Sequence, residues 1–247
     1  MSRIKVPVQV KRNPNPATKF LKWLSNDQCF EFYDKEARKK VKIQLPLKFL
    51  FLQHYVTVKG WSNSAGSGVW SNEVYSTAHE IIEVKDSNGT ICKGLYNKNK
   101  TIINAAGGQY HRSIYCMTPD GELVNLQLKG SAVGGIKEDH SPDKIPVKGW
   151  NLFHSGDKKK NIQGVAHLLD NQWIEVKDFK KGKNNAVSYT IPFFELGGSI
   201  TKEENALAVL ASEKLQNYMD LYFSKKEVKP ENEVEVDAVV DLSDLDF

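Results

Sequence analysis

Tyr110-His-Arg-Ser-Ile-Tyr-Cys-Met-Thr-Pro-Asp-Gly-Glu-Leu-Val-Asn-Leu-Gln-Leu128 is the stretch that decides the fold class of this chain. Its centre, residues 118–121, has the Pro, Asp and Gly composition of a tight turn. The flanking segments 110–117 and 122–128 are therefore predicted to pair as a β-hairpin. In the second segment Val and Leu alternate with Asn and Gln, which predicts a half-buried strand with Asn125 and Gln127 on its polar face.

Further hairpins are predicted on both sides of this one. Asp86-Ser-Asn-Gly89 is a strong turn signal between strands at 81–84 and 90–95. The long apolar run 48–58 suits a central strand that is buried on both faces. The remaining strand pairs are predicted at 30–33 with 41–45 and at 173–179 with 186–194.

Two helices are predicted. Residues 98–106 form a short helix that Gly107-Gly108 would close. Thr201 and Glu204 have capping-box spacing at the start of a longer amphipathic helix that ends by Lys226. The apolar stripe of that helix is predicted at Leu207, Leu210, Leu215, Tyr218 and Tyr222.

These elements predict a mainly β fold with a few helices, best matched by an oligonucleotide-binding-like antiparallel barrel with a C-terminal helix. A β-sandwich remains the alternative, because the order of elements does not separate the two. Residues 1–226 are predicted to form the domain, with a basic N-terminal arm at 1–20. Residues 227–247 alternate Val with acidic residues, which predicts a disordered acidic tail.

The charge of the chain is divided unevenly. The 247 residues carry a net charge of +4, but residues 227–247 carry −7, which leaves +11 for residues 1–226. A basic body attracts polyanions, and an acidic tail can compete for the same groove or bind other proteins.

Other classes of protein have little support in the sequence. No apolar run is long enough for a membrane span, and no secretory signal is evident, so we expect a cytoplasmic protein without membrane contact. The cysteines (Cys29, Cys92 and Cys116) are expected as buried or half-buried thiols. No cofactor or metal is expected and the protein is not expected to be an enzyme; a nuclease would depend on Glu138, His140 and Asp143.

Aromatic and basic residues provide the candidate binding site. Residues 59–71 form a predicted flexible loop that carries Lys59, Trp61 and Trp70, with Tyr75 just beyond it. Single-stranded nucleic acid needs aromatic faces for its bases and cations for its phosphates. The alternative is that both tryptophans plug the end of the barrel.

A second group of candidates follows the next strands. Period two places Tyr110 and Arg112 on one face and Tyr115 on the other. A solvated face with half-buried tyrosines is the alternative for each residue. The candidates in this group are Lys93, Tyr96, Lys98, Lys100, Tyr110, Arg112 and Lys129.

The tail supplies a candidate site for partner proteins. A partner with a small apolar pocket ringed by Lys or Arg would bind an acidic peptide that carries Leu and Phe. A solubilising tail is the alternative. The residues concerned are Asp241, Leu242, Asp244, Leu245, Asp246 and Phe247.

A basic β-rich body with a tail ending Asp-Leu-Asp-Phe247 resembles the single-stranded DNA-binding proteins of bacteria and their phages. The resemblance implies an oligonucleotide-binding barrel and a tail that recruits replication and repair enzymes. Segments such as Asn15-Pro-Ala-Thr-Lys-Phe20 and Ser113-Ile-Tyr115 also look like those of uncharacterised proteins of tailed phages that infect Bacteroidetes-like hosts, which implies a phage-encoded protein in the host cytoplasm.

The expected function is therefore sequence-nonspecific binding of single-stranded DNA in phage replication and recombination. Replication or recombination proteins would be recruited through the tail, and assembly into a homo-oligomer stays open. Two other classes remain: a strand-annealing recombination protein, and a structural or cargo protein of the virion.

Overall fold

The computed structural model describes residues 14–136, 147–184 and 186–224, apart from the side chain of residue 184. These residues are mainly β-strand and finish with a long helix, which confirms the predicted fold class at that level. The strands are β1 (Lys19–Leu24), β2 (Cys29–Asp34), β3 (Lys39–Ile43), β4 (Leu47–Ser62), β5 (Ser67–Ser71), β6 (Ile82–Asp86), β7 (Gly89–Gly94), β8 (Gly108–Met117), β9 (Leu123–Lys129), β10 (Gly156–Asp157), β11 (Ile162–Gln163), β12 (Gln172–Asn184) and β13 (Val187–Ser199). The α-helices are α1 (Tyr96–Ala105), α2 (Ser131–Gly134), α3 (Trp150–Ser155) and α4 (Lys202–Ser224).

Eleven of these strands share one sheet, in the order β3-β2-β1-β9-β8-β4-β5-β6-β7, with β12 beside the start of β4 and β13 beside β12. Neighbouring strands are antiparallel except β1 and β9, which run parallel. Among the described strands the order is open, with β3 and β7 at its ends, so the sheet is open and mixed and does not clearly form the closed or partly open antiparallel barrel that was predicted. Turn signals specify pairs within hairpins and carry no information on the parallel contact of β1 with β9.

The predicted hairpins are present. β8 and β9 pair around the turn at 118–121, and β6 and β7 pair around Asp86 and Gly89. β2 pairs with β3, and β12 pairs with β13. The predicted central strand is β4, which pairs with β12 at its start, with β8 along most of its length and with β5 at its end.

The predicted short helix is also present, and its end is packed against β4. α1 closes at Gly107, whose φ of +83° favours glycine. A Cβ atom on Gly60 would lie 1.9 Å from the Gly107 carbonyl oxygen, and one on Gly107 would lie 2.0 Å from the Trp61 carbonyl oxygen. Glycine at both positions therefore lets two backbones touch at the end of β4.

Strand β9 differs from its prediction because both of its faces are covered. Val124, Leu126 and Leu128 enter the main core, as expected. Asn125 and Gln127 were predicted on a polar, solvent-facing side, but they are only 0% and 4% exposed. The Asn125 amide donates to Ser113 Oγ at 2.8 Å, beneath the region that α4 covers. The alternating pattern identified the strand and its apolar face but not the cover on the other face.

Helix α4 begins with the predicted capping box and buries part of the predicted stripe, since Leu215 is buried and Tyr218 and Tyr222 pack half-buried against the same cluster. The Thr201 backbone N–H donates to the Glu204 carboxylate at 2.8 Å, and the Glu204 N–H donates to Thr201 Oγ1 at 3.2 Å. Leu207 and Leu210, predicted in the buried stripe, are 44% and 62% exposed. The buried positions are Ala208, Ala211, Leu215 and Met219, because small side chains let the helix lie close to the sheet.

The covered faces of the sheet define where a ligand could reach it. One face packs against α2, α3 and β13 in the main core. On the other face α4 covers the half that carries Tyr55, Tyr115 and Met117. The three cysteines are thiols, two of them buried and one half-buried, as predicted. None of the helices in the described part of the chain is long and apolar enough to cross a membrane.

Candidate nucleic-acid interface

An open cleft of about 1450 Å³ lies beyond the half of the sheet that α4 covers. We call it the tryptophan cleft. Strand register places its key side chains on one face, since Lys22 pairs with Gln127, His111 with Lys129, and Lys59 with Trp70. The lining residues used below are Lys22, Lys59, Trp61, Trp70, His111, Gln127 and Lys129.

The two tryptophans lie on an ordered hairpin. Residues 59–71, predicted as a flexible loop, continue β4 and form β5, with a turn only at 63–66. Trp61 is 59% exposed and Trp70 is 46% exposed. Neither ring enters a buried cluster, so the alternative in which both plug the end of a barrel is wrong. Two large aromatic faces in a concave site are typical of ligand binding.

Lysines give the tryptophan cleft its charge. Lys22 and Lys129 are exposed, while Lys59 is half-buried with its ammonium 5.5 Å from the centre of the Phe20 ring. Burial lowers the pKa of Lys59, and the Glu73 carboxylate opposes that shift. Among the described lining residues the one carboxylate is Asp27, which pairs with Lys42 at 3.2 Å. The cleft is therefore cationic.

Two polar side chains at the base of the cleft were missed by sequence reasoning. His111 Nδ1 lies 3.0 Å from the Gln109 carbonyl oxygen, and Gln127 Nε2 is buried with no hydrogen-bond partner among the described residues. Burial lowers the pKa of His111 from 6.5 to about 4, and the nearby lysines reinforce the shift. Gln127 was predicted to face solvent, and its strand pattern contains no signal of the opposite.

A second cleft of about 940 Å³ shares Ser25, Asn26, Tyr189 and Thr190 with the first. Lys181 and Lys183, near the tip of the β12–β13 hairpin, line this second cleft. Lys180, Lys181 and Lys183 make this tip basic, and nothing in the local sequence connects them with the tryptophans. The two clefts form a continuous surface that is lysine-lined at both ends.

Five of the eleven predicted nucleic-acid-binding residues line the tryptophan cleft: Lys59, Trp61, Trp70, Tyr110 and Lys129. Tyr96 is buried and contacts Tyr110 edge to face, with ring centroids 5.5 Å apart. Tyr75 stacks on Phe223 at 5.2 Å, outside the cleft. The other lysines of the set lie exposed on β7 and α1; they are Lys93, Lys98 and Lys100.

Arg112 points away from the tryptophan cleft. Its Nε donates to the Asn151 side-chain oxygen at 3.1 Å, which places it beside α3. Tyr115, on the opposite face as period two predicted, donates to the Glu73 carboxylate at 3.0 Å. Strand β8 therefore places Arg112 beside α3 and Tyr115 beside Glu73, and neither residue lines the tryptophan cleft.

Two groups of predicted residues lie outside the described part of the chain. The first is the acidic tail with Asp241, Leu242, Asp244, Leu245, Asp246 and Phe247. The second is Glu138, His140 and Asp143, the alternative metal ligands. Within 14–136, 147–184 and 186–224, no group of three His, Cys, Asp or Glu side chains is placed to hold a metal ion.

Comparison of the chain with protein-family models, with curated proteins and with solved structures finds no match.

Proposed function

We propose that this chain is a sequence-nonspecific single-stranded DNA-binding protein that acts in phage DNA replication and recombination. The observation that carries the proposal is the tryptophan cleft, in which two exposed indole rings share an open face with three lysines. Stacking of an unpaired base on an aromatic ring contributes about 1–3 kcal/mol and tolerates any base. The lysines supply the cations that phosphates need.

The arrangement favours a single strand over a duplex. The exposed indole rings lie on one face of the β4–β5 hairpin and line the tryptophan cleft, where unstacked bases can reach them. A duplex keeps its bases stacked and is read by helices or strands that enter its grooves. The second cleft, with Lys181 and Lys183, would extend the path of the strand beyond the tryptophans.

A barrel and a competing acidic tail would belong to the same function. An oligonucleotide-binding-like barrel would have to curl around β4, which pairs with three neighbours along its 16 residues. The tail, at −7, would compete with DNA for the cationic cleft and offer its Leu and Phe residues to replication or recombination proteins.

The test is a binding titration of labelled oligo-dT with the wild-type chain and with W61A and W70A. We expect each substitution to weaken binding about ten-fold or more, because it removes a stacking surface. Wild-type affinity should also fall steeply between about 50 and 200 mM salt, because each phosphate contact releases counterions.

Y33A is the matched control, because Tyr33 is 57% exposed on β2 and lies outside both clefts. It should bind like the wild type. Circular dichroism should show that all three variants keep the fold. Absence of oligo-dT binding at low salt, or equal binding by W61A, W70A and the wild type, would contradict the proposal.

A further inference from the structure

Lys59 differs from the other lysines of the tryptophan cleft because it is half-buried. Its ammonium lies 5.5 Å from the centre of the Phe20 ring. Burial lowers the pKa of Lys59, the Glu73 carboxylate opposes that shift, and the neighbouring charge of Lys22 adds to it. Desolvation and a second cation are the two means by which proteins turn a lysine into a nucleophilic amine.

Lys59 has no carboxylate partner in the part of the chain that the structure describes. The nearby acid, Glu73, accepts hydrogen bonds from Ser113 and, at 3.0 Å, from the Tyr115 hydroxyl. An ion pair would hold the amine in its charged form and direct it toward the acid. The fold instead leaves the Lys59 nitrogen without such a restraint.

The side-chain nitrogen of Lys59 is open to the cleft. The fully buried side-chain atoms that have no hydrogen-bond partner among the described residues belong to Asn125, Gln127 and Gln172. Lys59 Nζ has no such partner either, but it is not one of these buried atoms, and Lys59 lines the cleft. A ligand in the cleft can therefore reach it.

The two indole rings place a nucleotide sugar beside Lys59. Lys59 lies directly opposite Trp70 on β5, and Trp61 follows two residues later on the same face of β4. A base is joined to its sugar at C1′, so a base that stacks on either ring holds its C1′ at the edge of that ring. The amine is therefore adjacent to the sugars of the bound strand.

We propose that Lys59 captures abasic sites in single-stranded DNA as a covalent imine. An abasic nucleotide has lost its base, and its deoxyribose opens in part to an aldehyde at C1′. The lone pair of the neutral amine adds to C1′, and the two amine hydrogens leave with the carbonyl oxygen as water. Addition of water reverses the step, so no oxidant or reductant is needed. This inference rests on the proposed function and goes beyond it, because it adds a reaction with damaged DNA.

The neutral fraction of the amine separates Lys59 from exposed lysines. A lysine with an ordinary pKa of about 10.4 is only about 0.04% neutral at pH 7. The lowered pKa of Lys59 gives it a larger neutral fraction, so it reacts with an aldehyde faster than the exposed Lys22 and Lys129. Intact nucleotides carry no aldehyde and are bound without reaction.

The test is reductive trapping, in which cyanoborohydride adds hydride to the imine carbon and makes the bond permanent. Two oligo-dT strands of equal length and charge are compared. One carries a single abasic aldehyde, and the other carries a tetrahydrofuran analogue that has no aldehyde. Trapping rates are measured at protein concentrations that saturate each strand, so a change in affinity does not alter them.

The proteins are the wild type, K59R and K98R. Arginine keeps the positive charge at position 59, but its guanidinium stays protonated and forms no imine. K98R is the matched control, because Lys98 is exposed on α1 and lies outside both clefts. Circular dichroism should show that both variants keep the fold.

We expect the wild type to be trapped on the abasic strand and not on the analogue, with the added mass on the peptide that contains Lys59. K59R should be trapped about ten-fold more slowly or less, because the remaining lysines are almost fully protonated. K98R should be trapped like the wild type. The position of the added mass is read from the wild type alone, so it does not depend on how K59R folds.

Each contrary result has a distinct meaning. If K59R is trapped as fast as the wild type, or if the added mass lies on other lysines, capture by Lys59 is refuted while single-strand binding stands. The same holds if the wild type binds the abasic strand and is not trapped. If the wild type binds neither strand at low salt, the proposed function fails as well.

Discussion

Tyr115 shows how single polar atoms hold α4 and the N-terminal segment to the sheet. Its ring is fully buried, its hydroxyl donates to Glu73 at 3.0 Å, and the same hydroxyl accepts from the Asn15 amide at 2.9 Å. Ser113 also donates to the Glu73 carboxylate, and the Glu73 N–H donates to the Tyr222 hydroxyl of α4 at 2.8 Å. This network lies on the same face of β8 as His111.

Y115F is expected to lower the free energy of unfolding by about 1–3 kcal/mol, because it removes one hydroxyl from two hydrogen bonds and keeps the ring packing. Urea denaturation followed by circular dichroism measures the change. Y33F is the control, because Tyr33 is 57% exposed on β2, and its free energy of unfolding should remain within about 0.5 kcal/mol of the wild type. Equal stability of Y115F and the wild type would show that the network contributes little.

Gly60 and Gly107 let the end of helix α1 pack against the β4–β5 hairpin, which carries Trp61 and Trp70. Because their backbones touch at the end of β4, the position of Trp61 depends on both glycines. A side chain at Gly60 cannot avoid the clash by rotating, since the neighbouring atoms belong to the Gly107 backbone. The hairpin and α1 therefore have to move apart if either position is filled.

G60A is expected to destabilise the chain by about 1–3 kcal/mol and to weaken oligo-dT binding, because the strain is relieved by displacing Trp61. G198A is the matched control, since a Cβ there would meet no atom within 4 Å and Gly198 lines neither cleft. Thermal unfolding and the oligo-dT titration measure the two effects. Destabilisation without loss of binding would separate the Gly60 contact from the position of Trp61.

Strands, helices and turns could be predicted where their signals are local. Which face of each element is buried could not be predicted. The turns at 86–89 and 118–121, the capping box at Thr201 and the close of α1 at Gly107 depend on neighbouring residues, and all are present. Burial of Gln127 and exposure of Leu210 depend on distant segments that cover one face and leave the other open. The lining of the cleft was predicted in part for the same reason. Its tryptophans and lysines can be recognised in the sequence, whereas the burial of Gln127 can be recognised only in the folded chain.

At the scale of the whole molecule, charge separates the body from the tail. Residues 1–226 carry +11 and residues 227–247 carry −7. Lys22, Lys59 and Lys129 in one cleft and Lys181 and Lys183 in the next concentrate positive charge on a continuous surface. Such a surface attracts any nearby polyanion, and a covalently attached acidic segment has an effective concentration in the millimolar range.

Deletion of residues 236–247 is therefore expected to tighten oligo-dT binding about ten-fold at low salt, because DNA no longer competes with the attached acidic segment. The difference should shrink as salt is raised, since screening weakens the tail and the DNA alike. A full-length control with Asn or Gln at the acidic positions 237, 241, 244 and 246 separates charge from length and should bind like the truncated chain. If the truncated chain binds no more tightly than the wild type and the neutral-tail chain behaves identically, the tail does not compete for the cleft, and the acidic residues act elsewhere.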